Sequence, residues 1–104
     1  MYNQLSIIGR VKEEPVLKEL SSGTKMATML VEVDKAFKGN GAEVETETFN
    51  VILWRNVAEE SELLCKTGMI IGIFGRLQSN NYTKDDVTYY KSDIVCERLS
   101  VIKN

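Results

Sequence analysis

Four stretches of this chain place an aromatic ring within a few residues of a cation. Phe37 lies between Lys35 and Lys38. Trp54, the single tryptophan, is followed by Arg55. Tyr82 stands two residues before Lys84, and Tyr89 and Tyr90 precede Lys91. Rings and cations in this combination suit a flexible polyanion that carries flat bases. Bases stack on rings whatever their identity, each worth about 1–3 kcal/mol, while nearby cations hold phosphates. Taken singly, each ring reads more simply as core or incidental surface, and Phe49 and Phe74 are read as core. The joint pattern, outside the core strands, is what points to single-stranded nucleic acid.

Other chemistries are short of parts. The chain has no histidine, which removes Ser-His-Asp and Cys-His nucleophiles. Cys65 and Cys96 are far apart and each lies among apolar neighbours, so they read as buried free thiols. Two cysteines without histidine do not complete an ordinary Cys/His zinc site, and no metal or other cofactor is expected. Glu43, Glu45 and Glu47 share one strand face and read as a solvated edge that discourages wrong strand pairing. Asp85-Asp86 reads as a turn. The net charge of −2 argues against a binder that relies on bulk positive charge. It leaves room for a groove with local cations and stacking surfaces.

The elements that must position these residues follow from hydrophobic periodicity. With 104 residues, 43% hydrophobic and 27% charged, the chain fits one soluble globular domain. No apolar run approaches a membrane span, and MYNQLSIIGR is no secretory signal, so a cytoplasmic protein is expected. Leu5–Lys12 reads as a first strand, with Gly9 marking a bulge or bend and Pro15 interrupting or ending it. Val16–Leu20 is a candidate resumption, and Ser21-Ser22-Gly23 a turn. Lys25–Lys35 is a second strand with Ala27, Met29, Val31 and Val33 on its apolar face. Gly39-Asn40-Gly41 is a hairpin tip.

The third strand ends at Trp54. Phe49, Val51 and Leu53 share an apolar face, and Thr48, Asn50, Ile52 and Trp54 the opposite one. Asn56–Thr67 has helical spacing, with Asn56 as N-cap, Glu59, Glu60 and Glu62 in the early turns and Gly68 as stop. Met69–Leu77 is a fourth strand, Ser79–Asp86 a polar loop, and Val87–Ile102 a long fifth strand or a bent pair. Three strands, a short helix and two strands predict an all-β chain with one helix: a five-stranded OB-fold barrel, helix between strands three and four.

At this point the chain resembles the bacterial single-stranded DNA-binding protein family, over nearly its whole length. MYNQLSIIGRVKEEPVLK is similar to that family's opening strand, with Gly9-Arg10 and Pro15. SSGTKMATMLVEVDKAFK is similar to its second strand, with Gly23-Thr24 and Phe37. FNVILWRNVAEE resembles its strand-to-helix junction, and KTGMIIGIFGRLQSNNY its fourth strand, with Gly68, Gly75 and Tyr82. The resemblance implies an OB-fold that assembles as a homotetramer, a dimer being the alternative. Single-stranded DNA would wrap over it in replication, recombination or repair, without catalysis. By position, Phe37, Trp54 and Tyr82 match places where the family stacks bases, and Tyr90 matches an aromatic of its last strand. Arg10, Lys38 and Arg76 are phosphate candidates, and Lys35, Arg55 and Lys84 add charge beside the rings.

Three departures qualify the resemblance. Thr48 stands where the family often has an aromatic. Gln78-Ser79-Asn80-Asn81 replaces several basic residues, which implies a shallower salt dependence. The chain ends at Lys103-Asn104 without the family's linker and acidic tail, so tail-mediated recruitment of proteins is not expected. The competing expectation is a tail-less OB-fold interaction subunit of a primosome-like or mixed assembly, with weak DNA binding.

Overall fold

A computed structural model describes residues 1–35 and 45–104 of the chain. Phe37, Lys38, the Gly39-Asn40-Gly41 tip and Glu43 lie outside the described residues. The elements run β1 (Leu5–Glu19), β2 (Lys25–Asp34), β3 (Thr46–Trp54), α1 (Arg55–Leu64), β4 (Ile70–Ser79), β5 (Tyr82–Lys84), β6 (Val87–Tyr89) and β7 (Ser92–Lys103). Five of the strands close a barrel in the order β1-β2-β3-β7-β4, with β4 pairing back onto β1. Closure leaves none of these five as a sheet edge. β3 and β7 are the one parallel pair among them. A parallel pair needs a long crossover, supplied by α1, β4 and the β5–β6 hairpin.

Alternation sets the core. Ala27, Met29 and Val31 of β2 and Val51 and Leu53 of β3 are fully buried, and Phe49 and Val33 pack against them half-exposed. Val11, Ile71, Ile73, Ile94, Cys96 and Leu99 complete the interior. α1 buries Ala58 and Ser61, with Cys65 just beyond it. The Ser61 hydroxyl donates to the Ala58 carbonyl at 2.7 Å, so its burial leaves no polar atom unpaired. Cys65 and Cys96 are buried free thiols, as expected.

The structure settles or corrects several local expectations. Pro15 interrupts β1 without ending it: pairing to β2 runs as far as Glu19, through register shifts between Val11 and Glu13 and between Glu13 and Val16, and Val16–Glu19 is the resumption. The proline, which cannot donate to the ladder, sits in the second irregularity. Gly9 is in regular register with Ile71, and its role is close approach. A Cβ there would lie 2.7 Å from Val31 Cγ1 and 2.8 Å from the Glu32 carbonyl oxygen.

The helix cap falls two residues early. Trp54, not Asn56, is its N-cap, with no side-chain capping bond, and the first turn holds no acidic residue. Its end comes at Cys65, three residues before Gly68. Phe74 is not core. It faces outward on β4, half-buried, with the Arg98 guanidinium 4.5 Å from its ring centroid. Finally, the polar loop contains β5, which pairs with β6, so the last segment is the bent pair.

Candidate nucleic-acid interface

The outer face of β3 carries Thr48, Asn50, Ile52 and Trp54. Register sets Met26, Thr28 and Leu30 of β2 beside Trp54, Ile52 and Asn50. Trp54 is partly exposed at the point where the strand turns directly into α1. It lines an open depression of about 420 Å³ together with Leu20, Thr24, Arg55 and Arg76. Leu20 and Thr24 come from the β1–β2 turn, closed by paired backbone bonds: Leu20 N–H to Thr24 O and Gly23 N–H to Leu20 O, both 2.8 Å. Arg76 arrives from β4. Ile52 and Arg76 flank Val95 of β7 in register, so Arg76 shares the outer surface with the β3 residues. Its Nε lies 3.7 Å from an exposed Glu97 carboxylate oxygen, an exposed contact that contributes little.

A second cluster stands on the β5–β6 hairpin. Asp85 and Asp86 have φ of 53° and 63°, the two positive values that suit a two-residue hairpin turn. The turn pairs Tyr82 with Tyr89. Their rings stack at 5.1 Å between centroids and 18° between planes, and Lys91 Nζ lies 5.4 Å from the Tyr82 centroid. The Thr83 and Thr88 hydroxyls are 3.2 Å apart. Asn80 N–H donates to Lys91 O at 2.8 Å, closing the hairpin base. Every residue from Ser79 to Ser92 is exposed.

The structure sorts the expected residues into groups. Trp54, Arg55 and Arg76 come together, and Tyr82 stands with Lys84 on the hairpin. Tyr90 is 80% exposed and outside the stacked pair. Arg10 is tied to Glu32 at 3.2 Å and lines a different depression, of about 200 Å³, with Ile8 and Asp34 among its walls. Lys35 is held by Glu45 at 3.3 Å. Each of these two already donates a hydrogen bond to a carboxylate, closer than the 3.7 Å between Arg76 and Glu97, so they have less to gain from a phosphate and are the weaker candidates.

Three residues enter that the sequence reading left off its contact set. Tyr89 and Lys91 belong to the stacked cluster. The signal for Tyr89 was symmetry: Tyr82 and Tyr89 lie three residues either side of the Asp85-Asp86 turn. Lys12 donates to the Thr48 hydroxyl at 3.3 Å. It sets a cation on the β3 outer face at the position expected to lack a ring. Only the β1-β2-β3 register could reveal that contact. Near the same face, Lys25 bonds Glu59 at 3.0 Å, and this hydrogen bond raises its amine above the ordinary value.

Comparison with known proteins gives a consistent picture. The profile of the single-strand binding protein family matches residues 2–102. The chain is 32% identical to single-stranded DNA-binding protein B of Bacillus subtilis, over 95% of this chain and 88% of that protein. It is 28% identical to the single-stranded DNA-binding protein of Enterococcus faecalis, over 100% of this chain and 56% of that one. With the Bacillus cereus protein of the same name the identity is 30%, over 99% and 61%. The chain thus spans little more than half the length of the latter two. In fold it is similar to the Plasmodium falciparum SSB solved in complex with ssDNA. The TM-score is 0.81 and the identity 19%, over 99% of this chain and 96% of that one. The barrel order and this likeness establish the OB-fold.

Proposed function

The chain belongs to the single-strand binding protein family, and on that premise we propose that it binds single-stranded DNA without strong sequence preference and without catalysis. Bases stack on exposed rings while cations beside them neutralise phosphates. The observation that carries this reading is the depression where the Trp54 indole opens to solvent between Arg55 and Arg76. The stacked Tyr82–Tyr89 pair, with Lys84 and Lys91 alongside, extends it. Phe37 and Lys38, expected in the β2–β3 connection, are proposed to contribute with them.

The proposal extends to setting and assembly. The protein acts in the cytoplasm, at the nucleoid, protecting single strands during replication, recombination or repair. It assembles as a homotetramer, with a dimer as the smaller alternative. No helix among the described residues is long and apolar enough to cross a membrane.

The test uses the single tryptophan. Oligo-dT is titrated at several salt concentrations while Trp54 fluorescence is followed. Quenching that weakens with salt is expected. If Arg55, Arg76, Lys84 and Lys91 each neutralise one phosphate, the log–log slope is about −2.8 per protomer. Absence of quenching from a folded, assembled protein would refute the reading and leave a barrel that works through protein contacts.

A further inference from the structure

β1 carries an extra residue between two of its pairs with β2. Val11 pairs with Val31 and Glu13 with Leu30, so Lys12 is the added residue of a bulge. The backbone beside it is pinned. Val11 N–H donates to Met69 O at 2.9 Å, and Gly68 N–H donates to Val11 O at 2.8 Å. Val11 is buried and Lys12 exposed. A bulge is a means of re-aiming a side chain. Here the ammonium reaches past β2 and donates to the Thr48 hydroxyl of β3 at 3.3 Å. Glu32, on the intervening strand, is in register with both Arg10 and Thr48, and Arg10 holds its carboxylate at 3.2 Å. Lys12 itself has no carboxylate partner among the described residues.

We propose that Lys12 and Thr48 form a phosphate-binding point that holds a strand by its backbone alone. An ammonium has three donors, one of which is spent on the hydroxyl, and the hydroxyl keeps its own proton to give. Three donors therefore remain on two atoms 3.3 Å apart, which suits the oxygens of one phosphate. The residues beside the pair offer no ring. Asn50 follows on the β3 outer face, with Glu32 and Leu30 opposite on β2. A base passing here has nothing to stack on, so the contact is to the phosphate and blind to the base. The point lies six residues along β3 from Trp54, about 20 Å, and outside the depression that the indole lines. It rests on the reading of the chain as a strand-binding protein. It adds one phosphate contact to those of Arg55, Arg76, Lys84 and Lys91, for an expected slope of about −3.5 per protomer.

The test follows Trp54 quenching by a thymidine dodecamer against salt. It compares the native protein with Lys12→Gln, Lys12→Arg and Thr48→Val, and with Lys103→Gln on the β4–β7 flank as control. Lys12→Gln is expected to lower the slope by about 0.7 and weaken binding about fivefold at roughly 0.1 M salt. Lys12→Arg is expected to keep the slope. Thr48→Val removes a donor but no charge, and is expected to keep the slope while weakening binding about 2- to 10-fold. Quenching by thymidine monophosphate, too short to reach from the indole to Lys12, is expected to stay native in every variant. Native slope and affinity in Lys12→Gln overturn the proposal. An equal fall in Lys103→Gln also overturns it, since the effect would then be one of bulk charge. Native affinity in Thr48→Val overturns the pairing of the two residues. Monophosphate binding weakened by Lys12→Gln would put the lysine at the indole and overturn the separate point. Failure of the native protein to quench at all would refute the strand-binding reading itself, a distinct result.

Discussion

Removing both rings of the hairpin, Tyr82→Ala with Tyr89→Ala, should separate two contacts that a long strand makes together. Register sets the distance between them. Ile52 and Arg76 flank Val95, and Ser79 pairs with Ser92 at the hairpin base. Trp54 therefore lies two residues beyond the Val95 level in one direction, and the base three residues beyond it in the other. Five residue rises and two strand spacings amount to about 20 Å. The stacked rings are three residues further along, within about 10 Å of that base. They stand between about 10 and 30 Å from the indole, however the hairpin leans. A thymidine mononucleotide has one base and cannot stack on both, whereas a dodecamer spans about 37 Å even at the rise of a duplex strand. Because Trp54 is retained, its quenching reports both ligands. Dodecamer affinity should fall by the stacking of at least one base, about 1–3 kcal/mol, which is about 5- to 150-fold. Mononucleotide binding should not change. Native dodecamer affinity would show that the hairpin lies off the strand's path. Equal weakening of both ligands would show that rings and indole form one contact, and the register argument would fail.

Two further predictions concern the scaffold. Burial pushes the Cys65 and Cys96 thiols up to about 11, against an ordinary value of 9.0. The folded chain therefore keeps protons that the unfolded chain releases between these values, so this contribution is complete below pH 9 and lost as pH rises toward 11. A Cys65→Ala, Cys96→Ala protein should lose less melting temperature between pH 9 and 11 than the native one, and an equal loss would refute the assignment. Gly75→Ala would set a Cβ 1.8 Å from the Val95 carbonyl oxygen, on the strand that β4 must pair with. Overpacking of at least about 2 kcal/mol corresponds to a fall of about 8–16 °C in Tm, and a melt within a degree or two of native would contradict it.

Much of the barrel was legible because strand periodicity is local. Val51 and Leu53 alternate with Ile52 and Trp54 whatever the rest of the chain does, and β2 reads the same way. Their inward faces are buried as the alternation required. Period fails where both sides of a strand are apolar. β4 gave no clue that Ile71 and Ile73 turn inward while Phe74 turns out beneath Arg98. At Pro15 composition left open whether the strand ends or is only interrupted, since an irregular stretch of an otherwise paired strand can hold a residue without an N–H.

The aromatic–cation pattern, the missing histidine and the order of strands and helix belong to the sequence alone. They are properties of residue type and near spacing, which no folding is needed to read. Which cations face solvent was decided in three dimensions. Arg10 and Glu32 are 22 residues apart, and Lys35 and Glu45 are 10 apart, yet each pair closes an ion contact. Tyr82 meets Tyr89 because a two-residue turn at Asp85-Asp86 sets that register. Arg55 meets Arg76 at one depression because β3 and β4 both pair with β7. Charge and stacking act over a few ångströms, so their partners are chosen by strand register and chain crossing, to which local spacing is blind.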